Sequence, residues 1–455
     1  LIDPGRPVRT RRYQSWGRYP QVNHTTIRSI LWQNEIPDLA AFKQPILPVG
    51  YGRSYGDSCL NEGGVLLDAT PLRRFLDFDE KQGLLRCEAG VMLADILDVI
   101  VPRGWFLPVS PGTKFVSVGG AIANDIHGKN HHKAGTFGCH VTRFELLRSN
   151  GERLICAPDE NADLFRATIG GLGLTGLITW AEFRLRAIPG PFIAREQIRF
   201  SSIDEFFDIS ASSDRDYEYT VAWVDCLASG KHLGRGLFMR GNHDRLRPLP
   251  GKPIKPRPRL NVPFDLPPFV LNTLTIKAFN SLLYHAQWRK RSGKVVHYDP
   301  FFYPLDSIQN WNRMYGRQGF LQYQCVVPYH DNHHAIKEIL QQIGQSGEGS
   351  FLAVLKTFGN IQSPGMLSFP RPGVTLALDF AFRGESTLRL LERLDRIVRD
   401  VCGAVYPAKD ARMSAESFQA YFPQWRDFAR YIDPRFSSSF WRRVTAKDCT
   451  QDTSR

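Results

Sequence analysis

The chain contains no run of about 18 apolar residues, the length a helix needs to cross a bilayer, so no membrane span is expected. None of its eight cysteines stands in C-x-x-C spacing. Cys59, Cys87, Cys139, Cys156, Cys226, Cys325, Cys402 and Cys449 are scattered, which argues against a zinc site and a small disulfide scaffold and favours a reducing compartment. Residues 1–6 lack the apolar core of a secretory signal, and no initiating Met is present. The expectation is a cytoplasmic or peripheral membrane location, with the periplasmic side left open. Acidic residues are nearly absent between Lys231 and Lys294, where Asp244 and Asp265 stand alone among many basic residues and prolines. No internal repeat is visible.

The 455 residues are 42% apolar, 12% aromatic and 23% charged, an ordinary globular balance for two or three domains at about 150 residues each. A net charge of +13 and a pI near 9.4 ask for an anionic partner: nucleic acid, a phospholipid surface, or a phosphorylated ligand. A nucleic-acid binder draws support only from residues 231–294. It lacks a stacking-aromatic RNA motif and a basic recognition helix, so no nucleic acid is expected.

Residues 46–190 read as short strands and helices punctuated by glycine. Strands are expected at residues 46–49, 65–68 and 84–89. A helix is expected where Leu93, Ile96, Leu97 and Ile100 share a face, ended by Pro102 and Gly104. Composition shifts after Pro189, Gly190 and Pro191, the first expected domain boundary. Residues 192–400 alternate aromatic-rich strands with two or three helices. Residues 251–259 read as exposed and extended. Pro423 is expected to open a helix with Trp425, Phe428, Ala429 and Ile432 on one face, closed at Asp433 and Pro434.

Gly171, Gly173 and Gly176 form a literal G-x-G-x-x-G. A Rossmann site needs a strand before it and a helix after it. Here residues 163–168 read as helix and residues 177–183 as strand, so the glycines more readily serve close backbone approach. The loop of residues 50–57 is different. Its alternate glycines, Gly50, Gly52 and Gly56, can turn successive N–H groups to one side as a phosphate nest, with Arg53 and Ser54 as further donors. A tight surface turn is the plainer reading of such a loop alone. A second polar glycine segment at residues 117–124 makes two loops, which suit a pyrophosphate ligand with two arms.

These loops, with residues 111–113 and the pair Gly170 and Gly171, resemble the FAD domain of the vanillyl-alcohol-oxidase (PCMH-type) flavoproteins. Residues 123–132, containing Asp125, His127, Lys129, His131 and His132, resemble more specifically the oxidase subunits of decaprenylphosphoryl-β-D-ribose 2-epimerase. The likeness continues through residues 320–324, 355–359 and 406–410, so it covers nearly the whole chain. It implies an α+β fold: a PCMH-type two-part FAD-binding domain at residues 1–190, completed by a C-terminal segment at 404–455, and a substrate domain at 191–403 built on an antiparallel sheet with flanking helices. It implies oxidation of a ribose 2-hydroxyl on a polyprenylphosphoryl sugar, followed by reduction of the ketone by a separate NADH-dependent short-chain reductase. An alditol or aldonolactone oxidase acting on a soluble sugar is the alternative within the same fold. Relatives that anchor flavin covalently use a His where this chain has Arg53, so non-covalent FAD is expected. Some epimerase flavoproteins carry a Cys where this chain has Ala377, two residues before Asp379, at which the strand is expected to end.

The resemblance assigns FAD contacts to Gly50, Tyr51, Gly52, Arg53, Ser54, Tyr55 and Gly56, then to Gly112, Thr113, Ser117, Val118, Gly119, Gly120, Asn124, Ile126 and His127. Gly173, Ile178 and Tyr406 complete that set. Lys409, His127 and Tyr55 are the catalytic candidates. A desolvated lysine can take a proton from the reacting hydroxyl, although without the resemblance Lys409 reads as an ordinary surface lysine. Lys129, Gln322, Gln324 and Lys356 are candidates for the sugar hydroxyls and phosphate. The spacing of His127, His131 and His132 also suggests metal ligands. No acidic third ligand accompanies them, and Gly128 and Asn130 argue against a helix, so no metal is expected. The polyprenyl substrate and the basic residues Lys252, Lys255, Arg257 and Arg259, followed by an apolar stretch at 262–271, imply an anionic membrane surface as a partner.

Overall fold

The computed structural model describes residues 13–245, 260–267, 269–331 and 333–446. Lys252, Lys255, Arg257 and Arg259, the expected extended stretch at 251–259 and Cys449 lie outside them. The architecture is α+β. The amino-terminal part holds a three-stranded parallel sheet, with Val65–Asp68 between Thr26–Ser29 and Ile46–Val49. Beside it is a five-stranded antiparallel sheet in the order Phe75–Asp79, Leu84–Glu88, Leu177–Arg184, Val141–Leu147, Arg153–Cys156. The helix Leu93–Ile100 buries the four apolar residues expected of it, and Gly104 ends the following turn in the left-handed region at φ 80°. Helix Ala162–Thr168 precedes the glycine triplet and strand Leu177–Arg184 follows it, the order opposite to a Rossmann unit.

An eight-stranded antiparallel sheet dominates the remainder, in the order Arg291–His297, Phe192–Phe200, Gly236–His243, Tyr219–Val224, Ala353–Phe358, Gly373–Ala381, Phe320–Val327, Ala404–Val405. Strand Phe320–Val327 is buried on both faces, because one face meets helices and the other lines a cavity. The helices behind the sheet are His334–Ser346 and Glu385–Asp400. Their buried positions, Ile336, Ile339, Leu340 and Ile343 on the first and Leu390, Leu391, Leu394 and Val398 on the second, fall at helical spacing and share one core with the sheet.

Three expectations differ from the structure. Among the described residues of 192–400 there are four helices of eleven residues or more, Ile203–Ser213, Thr273–Ala286, His334–Ser346 and Glu385–Asp400, rather than two or three. Helix Trp425–Ala429 is a single turn: Phe428 is buried, but Ile432 lies beyond the helix. The strand containing Asp379 runs on to Ala381, because Phe320 and Leu321 pair with Ala381 and Phe380.

The C-terminal residues pack against the first glycine loop. Ile46 exchanges backbone hydrogen bonds with Arg435 and Ser437. The Arg443 guanidinium bridges the buried carboxylates of Asp57 (2.7 Å) and Asp410 (2.8 Å), joining helix Ser439–Thr445 to that loop and to the segment carrying Lys409.

Candidate functional site

A cavity of about 600 Å³ lies between the glycine loops and one face of the eight-stranded sheet. Its floor follows from strand alternation: side chains two apart point to the same face. Gln322 lies opposite Asp379 and Gln324 opposite Ala377, while Lys356 lies opposite Thr375. Gln322, Gln324, Lys356, Thr375 and Ala377 all line the cavity. The intervening residues Tyr323, Cys325, Leu355, Leu376 and Leu378 point into the core.

The opposite wall is glycine-rich. Gly52 has φ +62°, a conformation most side chains avoid. A Cβ on Gly50 would lie 2.5 Å from Ser117 Oγ, whereas a Cβ on Gly112 would meet nothing within 4 Å. The wall thus brings backbone to the cavity surface at Gly50 and leaves free space at Gly112. Arg53 Nε and Ser58 Oγ are buried donors with no hydrogen-bond partner among the described residues, and both residues line the cavity. Buried donors of this kind are satisfied by an acceptor-rich ligand. The cradle, the free donors and the cavity size fit FAD. Of the residues assigned to FAD from sequence, all but two line this cavity. The exceptions are corrections. A Cβ on Gly56 would lie 1.7 Å from the Asp410 carbonyl oxygen, so this glycine is required by chain packing. Val118 opens helix Val118–Ala123 and is fully buried in the core behind it. In the G-x-G-x-x-G run, Gly173, beside Pro48, and Gly176 line the cavity, and Gly171 and Gly176 allow close backbone approach to Ala167 and Leu147.

Lys409 is held from both flanks. Tyr55 N–H donates to the Ala408 carbonyl at 2.9 Å, and the Asp410 carboxylate accepts from Met413 N–H and from Arg443. The Lys409 ammonium lies 3.8 Å from the Tyr55 ring centroid. Burial lowers its pKa to about 7, partly opposed by the Asp379 carboxylate. Burial likewise raises Asp379 to about 7, against hydrogen bonding from Gln322 and the charge of Lys409. The Tyr55 hydroxyl is pushed well above its usual pKa by burial and the nearby Asp379 charge, so it stays protonated.

His127 stands at the centre of the polar half. Burial and the neighbouring Lys356 charge hold it well below the usual histidine pKa, so the ring is neutral. Its Nδ1 lies 3.2 Å from Lys356 Nζ and its Nε2 lies 2.9 Å from the Gln324 carboxamide. The Gln324 carboxamide N–H donates to Nε2, which leaves the neutral ring's proton on Nδ1, facing the Lys356 amine. Phe358 packs edge-on against the ring at 4.8 Å. The preceding chain is anchored by buried Asp125, which accepts from Ser363, Ser368 and Gly138 N–H. Sequence reasoning gave Asp125 no role. Lys129, which donates to the Phe302 carbonyl at 3.0 Å, and Lys356 are also lowered by burial, to about 8 and about 7. Three lysines and a neutral imidazole therefore face one space, an arrangement that stabilises an anion. Elsewhere in the triplet of histidines, His131 packs on Phe358 at 4.5 Å and His132 bonds the Tyr217 carbonyl, so each has a separate setting.

Sequence reasoning also missed Trp16, Asp306 and Asp379. Trp16 lies 4.1 Å under the Arg53 guanidinium, and both Trp16 and Asp306 line the cavity. No local motif marks any of the three.

Comparison with known proteins agrees with this geometry. The family described as "FAD binding domain" matches residues 33–157. The chain is 38% identical to decaprenylphosphoryl-beta-D-ribose oxidase of Mycolicibacterium smegmatis, over 96% of this chain and 98% of that protein. It is 32% identical to an uncharacterised Streptomyces coelicolor protein of the mprA 5′ region, over 78% of this chain and all of that protein. A putative D-arabinono-1,4-lactone oxidase of Neurospora crassa is 32% identical over 34% of this chain and 27% of its own length.

Proposed function

Because the chain belongs to the decaprenylphosphoryl-β-D-ribose oxidase family of FAD-dependent oxidoreductases, we propose that its cavity oxidises the 2-hydroxyl of a polyprenylphosphoryl-β-D-ribose to the 2-keto sugar. FAD, when bound, accepts the hydride equivalent from the carbinol carbon. The residues supply the remaining requirements. Lys409, with a pKa of about 7, is a free amine in about half the molecules at neutral pH and takes the hydroxyl proton. The nearby Asp379 carboxylate stabilises the ammonium so formed. Gln322 and Gln324 hold sugar hydroxyls, and their strand pairing fixes their spacing. Lys129 and Lys356 take the phosphodiester. His127, kept neutral, orients Lys356 rather than adding a fourth charge.

The observation that carries the substrate reading is the convergence of Lys129, Lys356 and Lys409 on one desolvated space. A neutral soluble lactone gives Lys129 and Lys356 no anion to pair with. The two-part FAD cradle, closed by the C-terminal segment through Arg443, belongs to the same proposal. So do non-covalent retention of FAD beside Arg53 and reduction of the ketone by a separate NADH-dependent reductase. The test is anaerobic mixing of the FAD-loaded protein with a short-chain prenylphosphoryl-β-D-ribose. The visible flavin band bleaches and the product has lost two hydrogens. Bleaching by soluble alditols or aldonolactones, but not by the prenylphosphoryl sugar, overturns the proposal.

A further inference from the structure

The helix Thr273–Ala286 has an unusual outer face. Ile276, Asn280 and Tyr284 point inward and are buried. Leu274 and Leu282 point outward and are 76% and 72% exposed, with the partly exposed Phe279 between them. The apolar surface extends past both helix ends, to Phe269 at 74% and Trp288 at 75%. Single exposed apolar residues are ordinary, but a run of them along one helix and its flanks marks a contact surface.

Along the chain, the charge of this segment has one sign. From Leu266 to Lys294 the chain carries Lys277, Arg289, Lys290, Arg291 and Lys294, and no Asp or Glu. All five cations are exposed; Lys290 also pairs with Glu205 at 2.7 Å. An apolar helix face fringed by cations, with Trp at its edge, is the pattern of a helix lying in a membrane interface.

The helix also borders the cavity. Leu283, next to outward-facing Leu282, lines it. The cavity floor also changes character along the sheet. On the strands Tyr219–Val224 and Gly236–His243, Val221 lies opposite Met239 and Trp223 opposite Leu237, and all four line the cavity. The polar floor around Gln322 and Lys356 thus gives way to an apolar stretch, in a cavity that the same helix reaches through Leu283.

We propose that the exposed face of helix Thr273–Ala286 is a docking surface for an anionic bilayer, which sets the apolar half of the cavity against the lipid. The assignment of a polyprenyl substrate gives this surface its use. Each methylene drawn from the bilayer into water costs about fourfold in equilibrium, so the enzyme gains by meeting the tail at the interface.

The test uses the full FAD-loaded chain and two vesicle compositions, phosphatidylcholine alone and phosphatidylcholine with phosphatidylglycerol. Wild type co-sediments with the anionic vesicles and is released by high salt. The double variant L274E/L282E loses about tenfold or more of that affinity, since two exposed leucines that would enter the lipid become charges. It keeps its flavin content, its melting temperature and its turnover of a short-chain soluble substrate, because neither residue touches the cavity. Equal vesicle binding by variant and wild type overturns the proposal. So does failure of wild type to bind anionic vesicles, or a wild-type dimer in lipid-free solution that the variant abolishes. If no prenylphosphoryl sugar is oxidised but anionic vesicles bind wild type and not the variant, the substrate assignment fails and the docking surface stands.

Discussion

Replacing Lys409 with Ala tests the proton-transfer role most directly. An ordinary lysine, with a pKa of 10.5, is a free amine at pH 7 in only about 3 molecules in 10⁴. Burial brings that value to about 7, which raises the free-amine fraction to about one half, a gain of roughly three orders of magnitude. The site keeps the lysine from sinking lower by placing Asp379 near it. A positioned acid–base group contributes about 10²–10⁴ in rate, equivalent to about 2.7–5.4 kcal/mol of barrier. The Lys409→Ala variant is therefore expected to reduce its flavin about 10²–10⁴ times more slowly while still binding FAD. The assay is stopped-flow flavin reduction under anaerobic conditions across the pH range. In wild type the rate rises with pH through about 7, because the ammonium form cannot accept a proton, and levels off above it. In the alanine variant this limb disappears, and small primary amines in solution restore part of the rate. Lys409→Arg stays slow, since a guanidinium keeps its proton. A near-normal rate in the alanine variant, or an unchanged limb near pH 7, refutes the assignment.

Other outcomes follow from the same contacts. Asp379→Asn removes the carboxylate that raises the Lys409 pKa, so the pH limb of flavin reduction moves to lower pH. Heat or acid releases FAD intact from the protein, because Arg53 offers no histidyl attachment; flavin remaining with the precipitate contradicts this. Gly56→Ala forces a Cβ to 1.7 Å from a backbone oxygen and lowers the melting temperature, whereas Gly112→Ala, with nothing within 4 Å, leaves folding intact and weakens FAD binding measured by fluorescence titration. Arg443→Met leaves the buried Asp57 and Asp410 carboxylates unpaired and costs about 3–5 kcal/mol in denaturant unfolding.

The glycine loops were legible because their signal is local: a nest is built from consecutive residues, and residues 50–55 reach the cavity together. The same locality misleads at its edges. Gly56 and Val118 belong to the right segments, but one packs on Asp410 and the other fills the core. Periodicity located helix Leu93–Ile100 because one face is apolar and the other is not. The resemblance placed the end of the Asp379 strand two residues short, and no alternation was there to correct it, because that strand is buried at nearly every position. Asp379 and Asp306 carry no local motif; their meaning arises when distant elements bring Lys409, Tyr55 and Arg53 near them. The apolar half of the floor is least readable of all. Val221, Trp223, Leu237 and Met239 look like any core strand, and only the tertiary arrangement puts a cavity over them.

The pairing of strands Phe320–Val327, Gly373–Ala381 and Ala353–Phe358 ties chemistry to folding. A slip of one residue in that pairing turns Gln322, Gln324 and Lys356 into the core and Tyr323, Cys325 and Leu355 into the cavity. The arrangement that buries the hydrocarbon is thus the one that assembles the reactive surface, and a folded but misassembled site has no stable form to occupy. The converse is a division of labour along each strand. Positions 322, 324, 354, 356, 375 and 377 can be exchanged to alter what the enzyme accepts while their neighbours keep the molecule folded. Relatives built on this sheet can diverge in substrate without first gaining stability, and libraries confined to those six positions search specificity with the core held constant.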